Sequence, residues 1–292
     1  ARGLHYKKGH ASFVKNVKTV VKGGSKNTHF FALPGVPQEM KSMFINYVLP
    51  LLEGELDSKM LCRSIRTTGV PESILQEKIS DLIDLNKGKC DIAFLPHRML
   101  GVDIRLTTQD KELLDNLLNS ILGRIDKYVY GFDSDKLEKV VADLLIEKNT
   151  TIATAESCTA GMLSARLTDV PGSSKYFNGG IVCYSNQLKN ELVDVKQKTL
   201  DKYGAVSEET AHELAVNIAK KLNSEIGVGI TGIAGPDGGT EEKPVGLVFV
   251  GISYKNNVYI KKYNLTPNRN INRELTVILC LNEIRKILEN SK

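Results

Sequence analysis

The residues best suited to chemistry follow a short apolar stretch near the middle of the chain. Residues 151–155 read as a buried strand, and after them come Glu156, Ser157, Cys158, Thr159, Ala160 and Gly161. A strand that gives way to small hydroxylated residues and then to a helix exposes backbone N–H groups at the helix start. We expect Ser157 to act there as a nucleophile, with the same N–H groups stabilising the oxyanion that its attack creates. Alternatively, Ser157 and Thr159 only cap a helix that begins around Thr159.

A lysine after the next predicted strand is a candidate base. Residues 180–184 form that strand, a helix opens at Asn186, and Lys189 lies in its first turn. A lysine accepts a proton only when it is neutral, and both desolvation and the positive end of the helix dipole lower its pKa. We predict that Lys189 takes the serine proton and that Tyr184 relays or orients it. The alternatives are a solvated lysine and a tyrosine that serves only for packing.

Residues 229–246 form a third candidate segment, which is rich in glycine and proline. The segment lies between two apolar strands, and its glycines permit a ligand to approach the backbone closely. It contains neither the G-x-x-x-x-G-K-[ST] phosphate loop nor a G-x-G-x-x-G that opens a helix. We expect it to line a binding site, and a flexible hairpin loop is the alternative.

Strands and helices alternate from residue 132 to the C-terminus. This alternation predicts an α/β domain over residues 132–292, with three layers and a mainly parallel sheet. One antiparallel hairpin is expected around residues 255–257, and Ser207 is the expected N-cap of a long helix. Ligands of such sheets bind beyond the carboxyl ends of the strands, which is where the three candidate segments fall.

Two shorter regions precede this domain. Residues 59–131 have the order strand, helix, strand, strand, helix, strand, which predicts a small α+β domain of two layers. Because this region lacks the G-x-x-G clamp of common single-strand binders, we expect a spacer or dimerisation role and not nucleic-acid binding. Residues 1–58 contain one strand at 29–33 and one helix after Pro37, and we interpret them as the tail of another α/β domain. The chain begins with Ala1, so we expect the natural N-terminus to lie upstream.

Composition argues against several classes of protein. The net charge of +5 comes from 39 basic and 34 acidic residues, a near-balance that describes a lysine-rich surface and not a nucleic-acid binder. No apolar run approaches the ~18–20 residues that span a bilayer, and we expect no signal peptide. The five cysteines are widely spaced and form no C-x-x-C. We therefore expect no disulfides, no zinc site and a cytoplasmic location.

Cys158 is an alternative nucleophile in the same segment as Ser157. A thiolate at this position would need an imidazole partner, and His212 is the only histidine after His97. Because His212 lies within a predicted amphipathic helix, we favour the serine–lysine interpretation over a cysteine hydrolase.

Five sequence blocks carry a family resemblance over residues 136–287. They are residues 154–161 (TAESCTAG), 171–174 (PGSS), 184–186 with Lys189, 204–207 (GAVS) and 231–246. Together they resemble the C-terminal domain of the competence/damage-inducible protein A (CinA) family, the nicotinamide-nucleotide amidohydrolases. The resemblance implies that a serine–lysine pair hydrolyses the carboxamide of nicotinamide mononucleotide to nicotinate mononucleotide and ammonia, with no metal and no cofactor. Carried over by position, Ser157, Lys189 and Tyr184 would be catalytic, and the residues expected to bind substrate are Glu156, Cys158, Thr159, Thr231, Gly232 and Gly235.

The substrate phosphate requires a binding group of its own. Residues 267–273 open the last predicted helix, and Arg269 and Arg273 lie four residues apart on one face of it. Helix N-termini and arginine forks bind phosphates efficiently. We expect Arg269 or Arg273 to contact the phosphate, in the same subunit or in a neighbouring one. A solvated helix start is the alternative.

The resemblance extends upstream and has one departure. Residues 33–40 look like the end of the family's molybdopterin-binding-like domain, truncated here, and residues 61–130 look like its K-homology-like domain. Ala160 stands where the family pattern has glycine, which would narrow the backbone approach and lower activity. The implied partners are a small nucleotide and a second copy of the chain in a homodimer. The remaining alternative is a catalytically silent member that binds a nucleotide or acts as a scaffold in DNA uptake or repair.

Overall fold

The computed structural model describes residues 4–7, 29–53, 60–97 and 101–291. The chain divides into two compact units, Ala1–Met60 and Leu61–Lys292. The expected boundary between residues 58 and 59 lies outside the described residues. Within the described ranges, no helix is both long enough and apolar enough to cross a membrane.

The first unit contains a two-stranded ribbon and a broken helix. β1 (Leu4–Lys7) pairs with β2 (His29–Ala32) in antiparallel fashion. α1 (Pro37–Met43) has proline in its first turn. N–H groups there have no acceptor within the helix, so the N–H that proline lacks costs no hydrogen bond. A π-helical turn (Phe44–Val48) then leads into α2 (Leu49–Glu53). The strand and the helix that the sequence predicts in this unit are confirmed.

The second unit opens with a four-stranded antiparallel sheet and two helices. Its strands have the order β4-β5-β3-β6. Ile65 and Ile104 of the sheet pack with Leu75, Ile79 and Ile121 of the helices in one buried core. The six elements follow the order that the sequence predicts: β3 (Leu61–Thr67), α3 (Glu72–Leu85), β4 (Asp91–His97), β5 (Gly101–Thr108), α4 (Lys111–Ile125) and β6 (Val129–Phe132).

A five-stranded sheet forms the rest of the second unit, with the strand order β11-β10-β9-β7-β8. β8, β7 and β9 are parallel, and β10 and β11 form the expected antiparallel hairpin. The elements in chain order are α5 (Leu137–Glu147), β7 (Ile152–Glu156), α6 (Met162–Thr168), β8 (Phe177–Val182), α7 (Asn186–Val193), α8 (Gln197–Tyr203), α9 (Glu208–Lys221), β9 (Ile226–Gly232), β10 (Leu247–Tyr254), β11 (Asn257–Asn264) and α10 (Arg269–Asn290).

The central strand β7 supplies side chains to cores on both faces of this sheet. Ile152 belongs to the core that α5, α6 and α10 cover, whereas Ala153 and Ala155 belong to the core that α7, α8 and α9 cover. This alternation is the two-residue period of a strand that is buried on both faces. The predicted three-layer α/β architecture is confirmed.

Two local features of this domain differ from the sequence prediction. The helix expected around Thr159 begins at Met162, because Ala160 and Gly161 have positive φ angles of 51° and 88° that interrupt a right-handed helix. Helix α8 gives no sequence signal, because only two of its seven residues, Thr199 and Leu200, are buried. The predicted N-cap of α9 is confirmed, since the Ser207 side chain accepts a hydrogen bond from the N–H of Thr210.

Helix α10 joins the two sheets of the second unit through a buried arginine. Arg285 is 2% exposed, and its guanidinium donates to the Val129 carbonyl at 2.9 Å and to Asn282 Oδ1 at 2.9 Å. It also pairs with the carboxylate of Glu289. A buried cation needs all these acceptors, because an unpaired buried charge is costly. The expected boundary between residues 131 and 132 falls at the end of β6, inside this unit.

Candidate active site

Ser157 lies where the central strand β7 ends. Its N–H donates to the carbonyl of Ile230 in β9 at 3.0 Å, so the sheet fixes the backbone of the first residue after the strand. The residue is 7% exposed, and its side chain is therefore almost enclosed. The carboxyl ends of β7, β8 and β9 meet at this edge, which is where parallel sheets bind their ligands.

A tight turn separates Ser157 from α6, and Glu156 holds it. The Ala160 N–H donates to the Ser157 carbonyl at 3.1 Å. The buried Glu156 carboxylate accepts hydrogen bonds from the N–H groups of Gly161, Leu163 and Ser164 and from the Ser164 hydroxyl. Glu156 therefore caps α6, and the alternative in which Ser157 and Thr159 are the caps is wrong. Since the chain itself supplies all four donors, we leave Glu156 out of the proposed substrate contacts.

Lys189 reaches Ser157 from the first turn of α7. Ser185 caps this helix, because its hydroxyl accepts a hydrogen bond from the N–H of Leu188 at 3.1 Å. The lysine is 1% exposed, and its Nζ lies 2.9 Å from Ser157 Oγ. The same Nζ lies 3.0 Å from the carbonyl oxygen of Cys183 and 3.1 Å from that of Tyr184.

Burial lowers the pKa of Lys189 below its ordinary value of 10.5, because a charged ammonium is disfavoured away from water. The thiols of Cys183 and Cys158 oppose this shift to a smaller extent. Within the described part of the chain, no carboxylate pairs with Nζ. A neutral amine has two N–H donors and one lone pair. In that form the donors would serve the two carbonyl oxygens and the lone pair would face the hydroxyl hydrogen of Ser157, whereas the ammonium form would donate to all three oxygens.

Cys158 is a core residue. It is 5% exposed and packs in the same apolar cluster as α5, α6 and α10. Burial raises the pKa of its thiol to about 12, which is the opposite of what a thiolate nucleophile requires. His212 is exposed on α9 and makes no hydrogen bond to Cys158. The cysteine alternative therefore has no support in the geometry, and of Cys158 only the backbone is left to meet a substrate.

Tyr184 and Thr231 border the serine–lysine pair in different ways. Tyr184 is 57% exposed, and its carbonyl accepts from Lys189 while its hydroxyl accepts from Arg269 at 3.3 Å. Thr231 is 1% exposed, and its hydroxyl donates to the carbonyl of Ala205 at 2.6 Å. Thr231 thus fixes the turn before α9, and its exchangeable proton is already in use.

The two arginines that the sequence offers as phosphate ligands contact different parts of the site. Arg269 is exposed, and it donates to the Gly235 carbonyl at 3.0 Å as well as to Tyr184. Arg273 is half-buried, and it donates to the carbonyl of Cys158 through Nε and to that of Thr159 through Nη2, both at 3.1 Å. Arg269 therefore links the glycine-rich segment to Tyr184, whereas Arg273 binds the turn after Ser157.

The remaining predicted residues are Thr159, Gly232 and Gly235. Thr159 is fully buried, and its Oγ1 has no hydrogen-bond partner among the described residues. A Cβ on Gly232 would lie 2.8 Å from the carbonyl oxygen of Leu247, so this glycine is required for β9 to pair with β10. Gly235 has a φ of 92°, a conformation that favours glycine. In the described ranges, no group of three or more His, Cys, Asp and Glu side chains is arranged to hold a metal.

Sequence reasoning missed two roles that the geometry makes clear. Glu156 had little signal, because it ends β7 and lies six residues before the first residue of α6, although acidic groups are favoured near helix N-termini. Arg273 had none, because it lies 114 residues from the Thr159 carbonyl that it contacts. Only the packing of α10 beside the turn after Ser157 reveals that contact.

Comparison with known proteins identifies the family. The pattern of the CinA C-terminal domain matches residues 134–288, and that of the damage-inducible protein CinA KH domain matches residues 62–131. The chain belongs to the CinA family. A relative from Acetivibrio thermocellus, whose name places it among competence-damage inducible proteins, is 44% identical over 267 residues. A CinA-like protein from Dictyoglomus thermophilum is 40% identical over 268 residues.

The CinA relatives are longer than this chain. The alignments cover 89% and 90% of this chain but only 64% and 65% of the two relatives. Among solved structures, competence/damage inducible protein CihA from Agrobacterium tumefaciens is 35% identical with a TM-score of 0.51, covering 53% of this chain and 94% of its own. The competence damage-inducible protein A of Klebsiella pneumoniae is 27% identical with a TM-score of 0.52, covering 53% and 97%. The part of the chain that these structures cover therefore has the CinA fold, as the sequence resemblance predicts.

Proposed function

We propose that residues 132–292 of this CinA chain hydrolyse the carboxamide of nicotinamide mononucleotide, with Ser157 as nucleophile and Lys189 as its base. One observation carries the proposal: a buried lysine without a carboxylate partner lies 2.9 Å from a serine hydroxyl at the end of the central strand. Three oxygens surround Nζ, but no carboxylate offsets the cost of burying a charge, so this environment favours the neutral amine more than water does. A general base must be neutral to accept a proton.

The reaction follows from the proton positions. Ser157 Oγ attacks the carboxamide carbon, and its proton passes to Lys189 Nζ. The tetrahedral intermediate then collapses, and ammonia leaves with the proton that Lys189 returns to it. Water then attacks the resulting ester while Lys189 takes a proton from it. The second tetrahedral intermediate collapses with cleavage of the bond between its carbon and Ser157 Oγ, Lys189 returns the proton to Oγ, and nicotinate mononucleotide is released. Backbone N–H groups of the turn after Ser157 would stabilise the negative oxygen in both steps.

The distal part of the nucleotide would lie toward Arg269. This guanidinium is exposed, and two of its nitrogens are held by Gly235 and Tyr184, so the group is oriented before a ligand arrives. An oriented arginine is an efficient phosphate ligand. Arg273 is less suited to this role, because two of its nitrogens contact the backbone after Ser157 and it is half-buried.

An ammonia-release assay tests the proposed function. The substrates are nicotinamide mononucleotide, the nucleoside that lacks its 5′-phosphate, and nicotinamide. We expect release from the mononucleotide, none with Ser157→Ala, and most of the rate retained with Cys158→Ala. Binding of the mononucleotide without any ammonia release would instead support a catalytically silent member of the family.

Location and assembly belong to the same proposal. We propose that the protein works in the reducing cytoplasm, and the five free cysteines are compatible with that location. A homodimer stays a prediction, and the molar mass of the chain in solution tests it.

A further inference from the structure

The guanidinium of Arg273 contacts two consecutive carbonyl oxygens directly after the nucleophile. Its Nε donates to Cys158 and its Nη2 donates to Thr159, both at 3.1 Å. A planar fork of this kind fixes direction as well as distance, which a lysine cannot do. The second turn of α10 therefore determines how the two peptide groups after Ser157 are oriented.

Because a peptide group is planar, the contact with each carbonyl also fixes the direction of the N–H that follows it. In a trans peptide the C=O and the next N–H point in opposite directions. Holding the Cys158 carbonyl therefore directs the Thr159 N–H away from Arg273. Holding the Thr159 carbonyl does the same for the Ala160 N–H, which donates to the Ser157 carbonyl.

The other N–H groups of the turn already have acceptors. The Ser157 N–H donates to Ile230, and the Gly161 N–H donates to the Glu156 carboxylate. The N–H groups of Cys158 and Thr159 make no hydrogen bond to another of the described residues. Two adjacent unpaired N–H groups beside a nucleophilic hydroxyl are the usual composition of an oxyanion hole.

We propose that Arg273 is a positioning residue that directs the Thr159 N–H, next to that of Cys158, at the oxygen that becomes negative when Ser157 attacks. This inference rests on the proposed function. A cationic donor on the Cys158 carbonyl also polarises that peptide group, which strengthens the hydrogen bond that its N–H donates. Arg273 would not touch the substrate, so its effect should fall on the chemical step and not on binding.

Kinetics of the full chain test the positioning role. Arg273→Lys and Arg273→Met should lower kcat on nicotinamide mononucleotide by about 10- to 100-fold, less than the ~100- to 1000-fold loss on removing an oxyanion donor, because the N–H groups stay in place and lose only their orientation. KM should stay within about twofold, and added ethylguanidinium should restore part of the rate of Arg273→Ala. Arg124→Met, which removes an exposed arginine that pairs with Asp81, should leave kcat unchanged. If Arg273→Met does not fold, the lysine variant decides the question.

A second measurement separates this inference from the proposed substrate. A small fluorophosphonate labels an activated serine and needs the same oxyanion donors, so intact-protein mass should show Ser157 labelled about 10- to 100-fold more slowly in both variants. If both Arg273 variants keep the wild-type kcat and the wild-type labelling rate, the inference is wrong and the proposed amidase activity is unaffected. A rise in KM without rescue by ethylguanidinium would also overturn the inference. Labelling of the wild type without ammonia release would overturn the substrate alone, and neither labelling nor release would overturn both.

Discussion

Lys189 Nζ lies 2.9 Å from Ser157 Oγ, although the two residues are 32 positions apart and follow different strands. The contact depends on the parallel pairing of β7 with β8, which brings the carboxyl ends of both strands to one edge. It also depends on the Ser185 cap, which starts α7 in the position that points its first turn at Ser157. The sheet and one helix cap therefore assemble the pair.

Replacing Lys189 by arginine should be nearly as damaging as replacing it by alanine. Arginine stays protonated at any workable pH, so it cannot accept the serine proton. We expect the loss of a general base to lower kcat by at least about 100-fold in both variants. Ammonia release under saturating substrate measures this, with Lys286→Arg on the surface of α10 as the matched control. An arginine variant with near wild-type kcat would show that Lys189 is not the base.

The rate of the wild-type enzyme should rise with pH. Burial lowers the pKa of Lys189, and only the neutral amine takes the proton from Ser157. The rise should be centred on the depressed folded-state pKa, below the ordinary value of 10.5. Measurement of kcat/KM across pH 5–10 checks this expectation, and a flat profile contradicts it.

Lys189 should also make the stability of the fold depend on pH. The unfolded chain keeps the lysine proton up to its ordinary pKa of 10.5, whereas the folded chain releases it at a lower pH. Between these two pKa values the unfolded state binds more protons, so the free energy of unfolding rises with pH. The buried thiols of Cys158, Cys183 and Cys280 have raised pKa values and act in the opposite direction, so the contribution of Lys189 appears as a difference between two proteins. Urea denaturation at several pH values should show the free energy of unfolding of the wild type rising relative to that of Lys189→Met, and equal slopes in the two proteins would contradict the prediction.

Arg269→Ala should weaken binding of the mononucleotide by about 1.5–3 kcal/mol, the scale of a hydrogen bond to a charged group. The dephosphorylated nucleoside should bind to this variant as well as it does to the wild type. Calorimetric titration with both ligands gives the preference for the phosphate. If the preference survives in Arg269→Ala and disappears in Arg273→Ala, the phosphate assignment belongs to Arg273.

Ala160→Gly should stabilise the protein. Ala160 has a φ of 51°, and the left-handed region costs about 1–2 kcal/mol for a residue with a Cβ. Glycine offsets part of the gain through the entropy of the unfolded chain, so we expect a net rise of about 0.5–1 kcal/mol. Ala165→Gly, in the right-handed helix α6, is the matched control and should lower stability by about 0.5–1 kcal/mol. Urea denaturation measures both, and a loss in both variants would argue against strain at Ala160.

The sequence predicted the elements of the site better than it predicted the contacts inside it. Strand ends and helix caps are local signals, so β7, α7 and the Ser207 cap could be read directly from spacing and residue type. The start of α6 could not, because the left-handed Ala160 belongs to a residue type that rarely signals a break. The roles of Arg269 and Arg273 depend on where α10 packs, and spacing on one helix face does not reveal which carbonyls lie opposite.

The buried Arg285 has a consequence for how the chain can be divided. Its acceptor on Val129 belongs to β6, while the arginine itself lies on the same helix as Arg273. Cutting the protein before residue 132 would remove the Val129 carbonyl. It would also expose the Arg285 guanidinium to water on a surface that is buried in the longer chain. The shortened enzyme would expose this surface near the C-terminal end of α10, the helix that also contacts the turn after Ser157. Any such truncation should therefore be combined with replacement of Arg285 by a smaller polar residue.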